Sequence, residues 1–454
     1  MITAIEIATA LRPVLIEAPA VGPLKFGHAV VDSRKARKGD LFVALRGEHA
    51  DGHDFVLDAA TRGATGAIVE RAVDAEVAQY VVPDALTALQ ELARRRRASR
   101  PGLKVVGITG SVGKTTTKEL TAAVLGSRYR LLKNEGNLNS EIGLPLVLLE
   151  LTQRHQRAVL EMGMWAPGEI ALLCDIAQPE TGIVTNVGPS HLERMGTIEA
   201  IADAKAELVE SLPSEGTAIL NADDGRVAAM AERTNAHVIT YGLSLKADVR
   251  ASEIDSRGLA GVNFTLTHGN QQAAVYSRLP GRAMVHNALA AAAAGIVDGI
   301  ELDEVATALS GARFPTRLAA HRGPRGSTII DDTYNASPAS MRAALELLGE
   351  VQGRKIAVLG DMRELGAAER EGHAEVGRLA AEVADSIYCV GELGRWIGDA
   401  AIQAGHGDVH IVRDKGEIAP ALRALLEADD VVLLKASRAL ALETVLQELK
   451  EAPA

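Results

Sequence analysis

Val105-Val106-Gly107-Ile108-Thr109 is a short apolar strand that runs into Gly110-Ser111-Val112-Gly113-Lys114-Thr115-Thr116, a glycine-spaced turn that opens a helix. Such a turn aims backbone N–H groups at an anion, and the helix N-terminus adds the positive end of its dipole. Lys114 is placed to meet terminal phosphates and the Thr115 hydroxyl to bind Mg²⁺. Gly110 and Gly113 let the backbone approach a phosphate closely. The strict pattern G-x-x-x-x-G-K-[ST] asks for glycine at 108, where this chain has Ile108. Strand, turn and helix nevertheless coincide with the phosphate residues at their join, so phosphate binding is expected here.

The 454 residues allow two to four domains, and nearly half are apolar, enough for substantial cores. The formal net charge of −11 argues against general nucleic-acid binding, but not against a small anion held by a few local cations. The one basic run, Arg94-Arg95-Arg96-Arg97 with Arg100, reads as a solvated helix end before a linker, because Ser99, Pro101 and Gly102 follow at once. Its other reading is a polyanion site. No apolar run has the length of a membrane span. The start, Met1-Ile2-Thr3-Ala4-Ile5-Glu6, has no basic segment ahead of an apolar one, so no signal peptide is expected. Cys174 and Cys389 are the only cysteines and lie far apart in apolar strings. Buried free thiols in a reducing compartment are expected rather than a disulfide.

Three blocks follow from the order of elements. Residues 1–98 form a first, small α/β domain. Asp32-Ser33-Arg34 precedes the strand around Leu41-Phe42-Val43. The polar loop Arg46-Gly47-Glu48-His49-Ala50-Asp51-Gly52-His53 follows it. Polar residues crowded into loops after strands suit a small-ligand pocket, and equally an ordinary polar surface. Residues 99–313 form the second block, a parallel sheet around the phosphate loop. Its helix from Thr115 to Ser127 keeps Leu120, Ala123 and Val124 on one face. An amide-rich loop comes next, Asn134-Glu135-Gly136-Asn137-Leu138-Asn139-Ser140-Glu141-Ile142-Gly143. Glu161 ends the strand Ala158-Val159-Leu160, and His191 follows the strand Gly182-Ile183-Val184-Thr185-Asn186-Val187. In parallel sheets the C-terminal strand ends face the ligand crevice. Each residue is either a ligand there or an ordinary strand-end and loop residue.

In the helix from Thr197 to Leu212, Ile198, Ile201, Leu208 and Leu212 form an apolar stripe, and Lys205 falls on it. Such a lysine either snorkels to solvent or turns inward to the nucleotide. If desolvated, it loses its proton readily and its neutral amine takes up CO₂ as a carbamate, an oxygen ligand for Mg²⁺. Residues 236–279 read as a β-rich excursion, and Asn287 stands near the start of an alanine-rich helix, where it suits a cap. Residues 314–454 form the third block. Strands near 328–332, 355–360, 386–391, 409–412 and 431–435 alternate with helices, which implies a second parallel sheet. Gly360 and Gly391 do not extend into G-x-G-x-x-G, so a dinucleotide site is not expected there.

Four stretches together resemble the Mur ligases of peptidoglycan synthesis. They are residues 107–116, residues 137–143, Asp331-Asp332-Thr333-Tyr334-Asn335-Ala336-Ser337-Pro338 and Val358-Leu359-Gly360-Asp361-Met362-Arg363-Glu364-Leu365-Gly366. The likeness covers nearly the whole chain, and the family's phosphate loop also lacks the first glycine, so Ile108 fits it. The resemblance implies three domains: an N-terminal one for a UDP-linked substrate, a central P-loop ATPase-like one and a C-terminal Rossmann-like one. The last takes the incoming amine and closes on ATP. It implies a cytoplasmic, monomeric ligase using ATP and two Mg²⁺. Its substrates would be UDP-N-acetylmuramoyl-tripeptide and D-alanyl-D-alanine, joined through an acyl phosphate.

Residue by residue, Gly110, Ser111, Val112, Gly113, Lys114, Thr115 and Thr116 would hold the ATP phosphates. Thr115 would hold the first Mg²⁺; Glu161, His191 and a carbamylated Lys205 would serve the second. Asn287, Arg317, Asp331, Tyr334 and Asn335 would contact the nucleotide. Ser33, Arg34, Arg46, Gly47, Asp51 and His53 would hold the UDP end, and Asn137 and Asn139 the rest of the substrate. Two positions depart from the family: Ser140, where a second asparagine is common, and Ala436, where Lys-Gly-Ser-Arg is usual. Ala436 does not favour positive φ, so a differently shaped turn is expected there.

The nearest rival is a sister ligase adding the third amino acid, which is expected to carry an Asp-Asn-Pro-Arg tetrapeptide that this chain lacks. Folylpolyglutamate synthetases share the two C-terminal domains, but the 1–98 domain speaks against them. A P-loop protein that binds ATP as a switch would need no Glu161, His191 and Lys205 on the nucleotide edge.

Overall fold

A computed structural model describes residues 1–19, 24–314 and 318–450. Arg317, expected at a phosphate, lies outside the described residues.

The first sheet is four parallel strands, Ala29–Val30, Leu41–Val43, Gly66–Val69 and Ala78–Val81, paired in that order. The short helix Ala4–Leu11 stands beside it, started by a reciprocal cap in which Glu6 N–H donates to Thr3 Oγ1 and Thr3 N–H to the Glu6 carboxylate. The helix Ala85–Ala98 begins where Asp84 accepts the Thr87 N–H.

The central sheet has nine strands. Leu131–Lys133, Arg157–Glu161, Lys104–Thr109, Thr181–Val184, Thr217–Asn221, His237–Gly242 and Val249–Ser256 lie parallel in that order. Val262–His268 and Gln271–Ser277 extend it antiparallel, which makes 236–279 the β-rich excursion expected. Val105, Leu160 and Leu220 face one core; Val106, Ile108, Val159 and Ile219 face the other. Burial on both faces explains why these strands read as continuous apolar runs rather than alternating ones.

The third sheet is ordered Ala319–Arg322, Thr328–Asp332, Val431–Lys435, Lys355–Gly360, Ser386–Val390 and Val409–Val412. It is parallel except for its first strand, which sequence reasoning did not anticipate. Ser337 caps the helix Pro338–Glu350, with Pro338 in its first turn. Ala436 is buried, lies outside the positive-φ residues and sets its methyl against Gly360, so the turn expected to differ there needs no glycine. Both cysteines are free and buried, and burial pushes each thiol up to about 12.

The arginine run divides: Arg95 is exposed as expected and pairs with Glu91, whereas Arg96 and Arg97 are buried and open to no polyanion. The Arg97 guanidinium is buried and donates to the carbonyls of Ala177 (2.8 Å), Gln178 (3.1 Å) and Arg100 (2.9 Å) and to Glu180 (3.0 Å). Arg96, also buried, donates to Leu151 O, Met1 O and Glu6. Helix ends leave carbonyls without partners, and the helix Glu169–Ala177 has its end satisfied by Arg97. These side chains join domains, a role invisible in local composition.

Candidate active site

The phosphate loop is held from the neighbouring strand. Gly110 has φ 146° and Gly113 φ 86°, both in the region that favours glycine. A Cβ on Gly110 would stand 1.9 Å from Thr185 Oγ1, and one on Gly113 2.4 Å from Asn287 Oδ1. The loop is glycine-spaced because its neighbours press on it. Thr185 Oγ1 and Asn186 Nδ2 both donate to Val112 O, and Asn186 accepts the N–H of Val112 on Oδ1 and that of Ser111 on its carbonyl. Ser111 Oγ and the Gly188 backbone complete the clamp. Ser111 and Val112 thus spend their amides on shaping the loop. Thr115 and Thr116 lie in the first turn of Lys114–Gly126, where an α-helix supplies no acceptor for its N–H groups. The Lys114 ammonium folds over the loop, 2.7 Å from Gly110 O.

Asn287 is not a cap. It is the fifth residue of the helix Ala283–Val297, and its Oδ1 accepts from Thr117 Oγ1 at 3.2 Å. It buttresses the phosphate loop from behind.

Glu161 is the node of the site. It is 4% exposed, so its carboxylate is no solvated strand end. Oε2 accepts from Thr115 Oγ1 at 2.9 Å and Oε1 from Asn139 Nδ2 at 2.8 Å. One carboxylate therefore joins the phosphate-loop threonine to the amide loop. Asn137 is exposed at that loop's tip. Ser140 turns its Oγ inward to accept from the N–H groups of Ile142 (3.4 Å) and Gly143 (3.3 Å), where the helix Gly143–Leu149 begins.

Lys205 does not snorkel. It is 2% exposed on the inner face of the helix Ile198–Glu210. Burial holds its ammonium well below the ordinary lysine range, and the Lys114 ammonium pushes it further the same way. The charge that bears on it is a second cation, and among the described residues no carboxylate bears on it.

His191 sits in left-handed conformation, φ 60°, at the start of the turn Leu192–Met195. Its Nδ1 lies 2.5 Å from Glu364 Oε2, off the line of a straight hydrogen bond, and its ring tilts against Trp165 at 5.0 Å. The imidazole holds the Glu364 carboxyl below its ordinary range. His191 therefore meets the third domain, and among the described residues no three of His, Cys, Asp and Glu gather as a metal cluster.

In the first domain Ser33 is buried, and exposed Arg34 forks onto Asp32 with two 2.9 Å bonds. Arg46 pairs with Glu70 at 2.7 Å, beside exposed Gly47. His53 is buried and uses both nitrogens. Nε2 accepts the Glu70 N–H at 2.8 Å, so Nδ1 carries the proton it gives to Asp51 at 2.5 Å. His53 and Arg71 hold the Asp51 carboxyl well below its ordinary range. His53 shapes this loop from inside.

In the third domain Asp331 accepts from the Thr333 N–H and hydroxyl and lies 3.8 Å from His321. Asn335 O accepts from the buried Lys435 ammonium at 2.9 Å; Lys435 also pairs with Asp332. Tyr334 is exposed, with Arg438 over its ring at 5.9 Å. Four functional positions were not singled out from sequence: Asn134, Thr185, Asn186 and Glu364. Each lay inside a quoted stretch, and only the tertiary contacts mark it.

Three family models match: "Mur ligase family, catalytic domain" at residues 28–100, "Mur ligase middle domain" at 108–295, and "Mur ligase, glutamate ligase domain" at 316–438. The UDP-N-acetylmuramoyl-tripeptide–D-alanyl-D-alanine ligase of Bacillus subtilis is 37% identical over 435 residues, covering 94% of both chains. That of Escherichia coli is 37% identical over 432, covering 92% of this chain and 93% of its own. Among solved structures, MurF from Acinetobacter baumannii superposes with a TM-score of 0.91 at 34% identity over 99% of both chains. MurF ligase from Thermotoga maritima in complex with ADP does so at 0.82 and 32%, over 93% of this chain and 97% of its own. The phosphate loop, the carboxylate at the next strand's end and this likeness along the whole chain agree: the protein belongs to the Mur ligase family.

Proposed function

We infer that this chain is an ATP-dependent, ADP-forming ligase. It adds D-alanyl-D-alanine to UDP-N-acetylmuramoyl-tripeptide in peptidoglycan precursor synthesis, in the cytoplasm where both nucleotides are found. Relatives 34–38% identical over more than nine-tenths of the chain bear that name. The structural observation that carries a ligase over a simple ATP switch is Lys205. Burying a lysine without a carboxylate is costly, and a switch gives it nothing to do.

The residues present fit Mg²⁺ and ATP. Thr115 and Glu161 set two oxygen ligands side by side behind the helix amides. A neutral, desolvated Lys205 amine is the form that takes up CO₂, and the carbamate would add a third. His191 would join them once it turns from Glu364. Bound Mg²⁺ supplies positive charge against the phosphate oxygens.

The reaction is carboxylate activation. The substrate carboxylate attacks the γ-phosphorus, the bond to the β-phosphate breaks, and ADP leaves from the resulting acyl phosphate. The dipeptide amine then attacks the acyl carbon, loses a proton, and phosphate departs. Bringing two anions together is the obstacle, and the Lys114 ammonium stands where it offsets their repulsion. The amides of residues 115 and 116 orient the phosphates, and Asn139 and Thr115 hold Glu161 so that little reorganises during reaction. Asp331 and the Tyr334-Asn335 loop approach the nucleotide from the third domain, and domain closure excludes water. In the first domain, Ser33, Arg34 and the 46–53 loop receive the UDP end.

Lys114→Ala is expected to abolish ADP formation while leaving the circular dichroism spectrum and melting profile intact. Undiminished turnover in that variant would overturn the assignment.

A further inference from the structure

Asn134 is 1% exposed and lies just beyond the strand Leu131–Lys133, whose last pairing joins Lys133 to Val159. Past that point the side chain of Asn134 takes over from the backbone. Its Oδ1 accepts the Glu161 N–H at 2.9 Å, and its Nδ2 donates to the Glu161 carbonyl at 2.9 Å. One amide thus pairs with both backbone groups of Glu161, as a neighbouring strand would. The same Nδ2 donates to Leu138 O at 2.9 Å, across the base of the amide loop. The backbone N–H and carbonyls fix which side-chain atom is oxygen and which nitrogen.

Behind it stands Lys118, 1% exposed and four residues beyond Lys114 on the phosphate-loop helix. Its ammonium donates to Asn134 O at 2.6 Å and lies 3.2 Å from Glu119. Glu119 in turn meets Lys133 at 2.5 Å. A buried ammonium 2.6 Å from this carbonyl, with the Glu119 carboxylate beside it, makes a strong, directional tie.

We propose that Asn134 is a positioning residue that fixes Glu161 and the 135–139 loop as one unit, with Lys118 anchoring it to the phosphate-loop helix. Motion of the amide loop and placement of the Glu161 carboxylate are then coupled through one side chain. Asn139 carries the same coupling at the carboxylate end. Aspartate at 134 would retain the acceptor but lose both donations, leaving two carbonyls facing an anion. The inference rests on the ligase reading for its Mg²⁺ consequence, and on geometry alone for its hold on the loop.

The test uses the full chain carrying Asn134→Ala, read by hydrogen exchange and by Mg²⁺ dependence. Faster amide exchange is expected across residues 135–139 and at Glu161, with exchange at residues 110–117 unchanged. In turnover, half-saturating Mg²⁺ is expected to rise about tenfold, the usual scale for groups that orient a metal ligand, with the KM for ATP unmoved. A lower melting temperature with loop exchange and Mg²⁺ dependence both unchanged would overturn the proposal. Should Asn134→Ala not fold, Lys118→Met decides. The same pattern, smaller, supports the coupling, and wild-type exchange and Mg²⁺ dependence overturn it. Failure of the ligase reading is separate: the wild-type chain would then release no ADP in response to D-alanyl-D-alanine, while the exchange experiment still judges Asn134.

Discussion

A continuous apolar core runs between the first and central domains, whereas the central and third domains meet at two small patches. Ile2, Ile7, Leu41 and Ile68 belong to the same buried cluster as Leu144, Leu148, Ile170 and Leu173. Arg96 and Arg97 reinforce this first seam by satisfying carbonyls that helix and chain ends leave over. The third domain keeps two clusters of its own, and the central-domain Leu259 packs on one of them. Among the described residues, the hydrogen bonds and ion pairs of the second seam include Ser256 Oγ donating to Glu350 at 2.5 Å, His191 against Glu364, and Glu193 N–H donating to Glu364 O at 3.1 Å. A seam sharing a core behaves as one body, and a seam of few polar contacts is where domains move. The proposed ligase chemistry would use that division: two domains would hold the UDP substrate and phosphates in fixed relation while the third closes on them.

The contrast is most easily broken at Arg97. Removing this guanidinium takes the donor from the Ala177 and Gln178 carbonyls in the seam, while Arg100 O keeps the Leu103 N–H, so Arg97→Ala is expected to cost about 3 kcal/mol. A calorimetric transition should fall and separate into two; an unmoved transition would mean the seam does not depend on it.

Two buried cations differ in what surrounds them. Arg97 is fully satisfied and structural; Lys205 is buried against another cation. Because Lys205 is depressed when folded, the unfolded chain binds more protons between the depressed value and the ordinary lysine range. Stability must therefore rise with pH across that window. Lys205→Met is expected to raise the melting temperature at neutral pH in CO₂-free buffer, and the gain should shrink as pH climbs toward the ordinary value. A gain independent of pH would show that Lys205 is charged when folded. The same variant should lose ligase activity.

The smallest thermodynamic effect is expected at the second seam. Glu364→Ala removes a partly exposed pair and should cost less than about 1 kcal/mol. Small-angle scattering should nonetheless show a larger radius of gyration as the third domain loosens. A large stability loss with unchanged scattering would make this seam like the first.

Much of the fold was legible because both large sheets are buried on two faces and so read as apolar runs punctuated by glycine and polar loops. The edge strand Ala319–Arg322 was not, since half-buried Ala-Ala-His-Arg carries no strand pattern. The phosphate loop was legible because its chemistry is local. Lys205 was half legible: spacing placed it on the apolar stripe, but only tertiary packing shows that its ammonium stays inside. Asn134, Thr185 and Asn186 were silent, because an amide bonding to distant backbone leaves no periodic trace. Arg96 and Arg97 were misleading, because a charge run reads as solvated until the carbonyls it serves are folded around it.

The most direct test follows ADP release by the wild-type chain with Mg²⁺, ATP and UDP-N-acetylmuramoyl-tripeptide, adding in turn no amine, D-alanine or D-alanyl-D-alanine. Release that depends on the dipeptide alone is the predicted result. Equal release with a single amino acid, or none with the dipeptide, would contradict it.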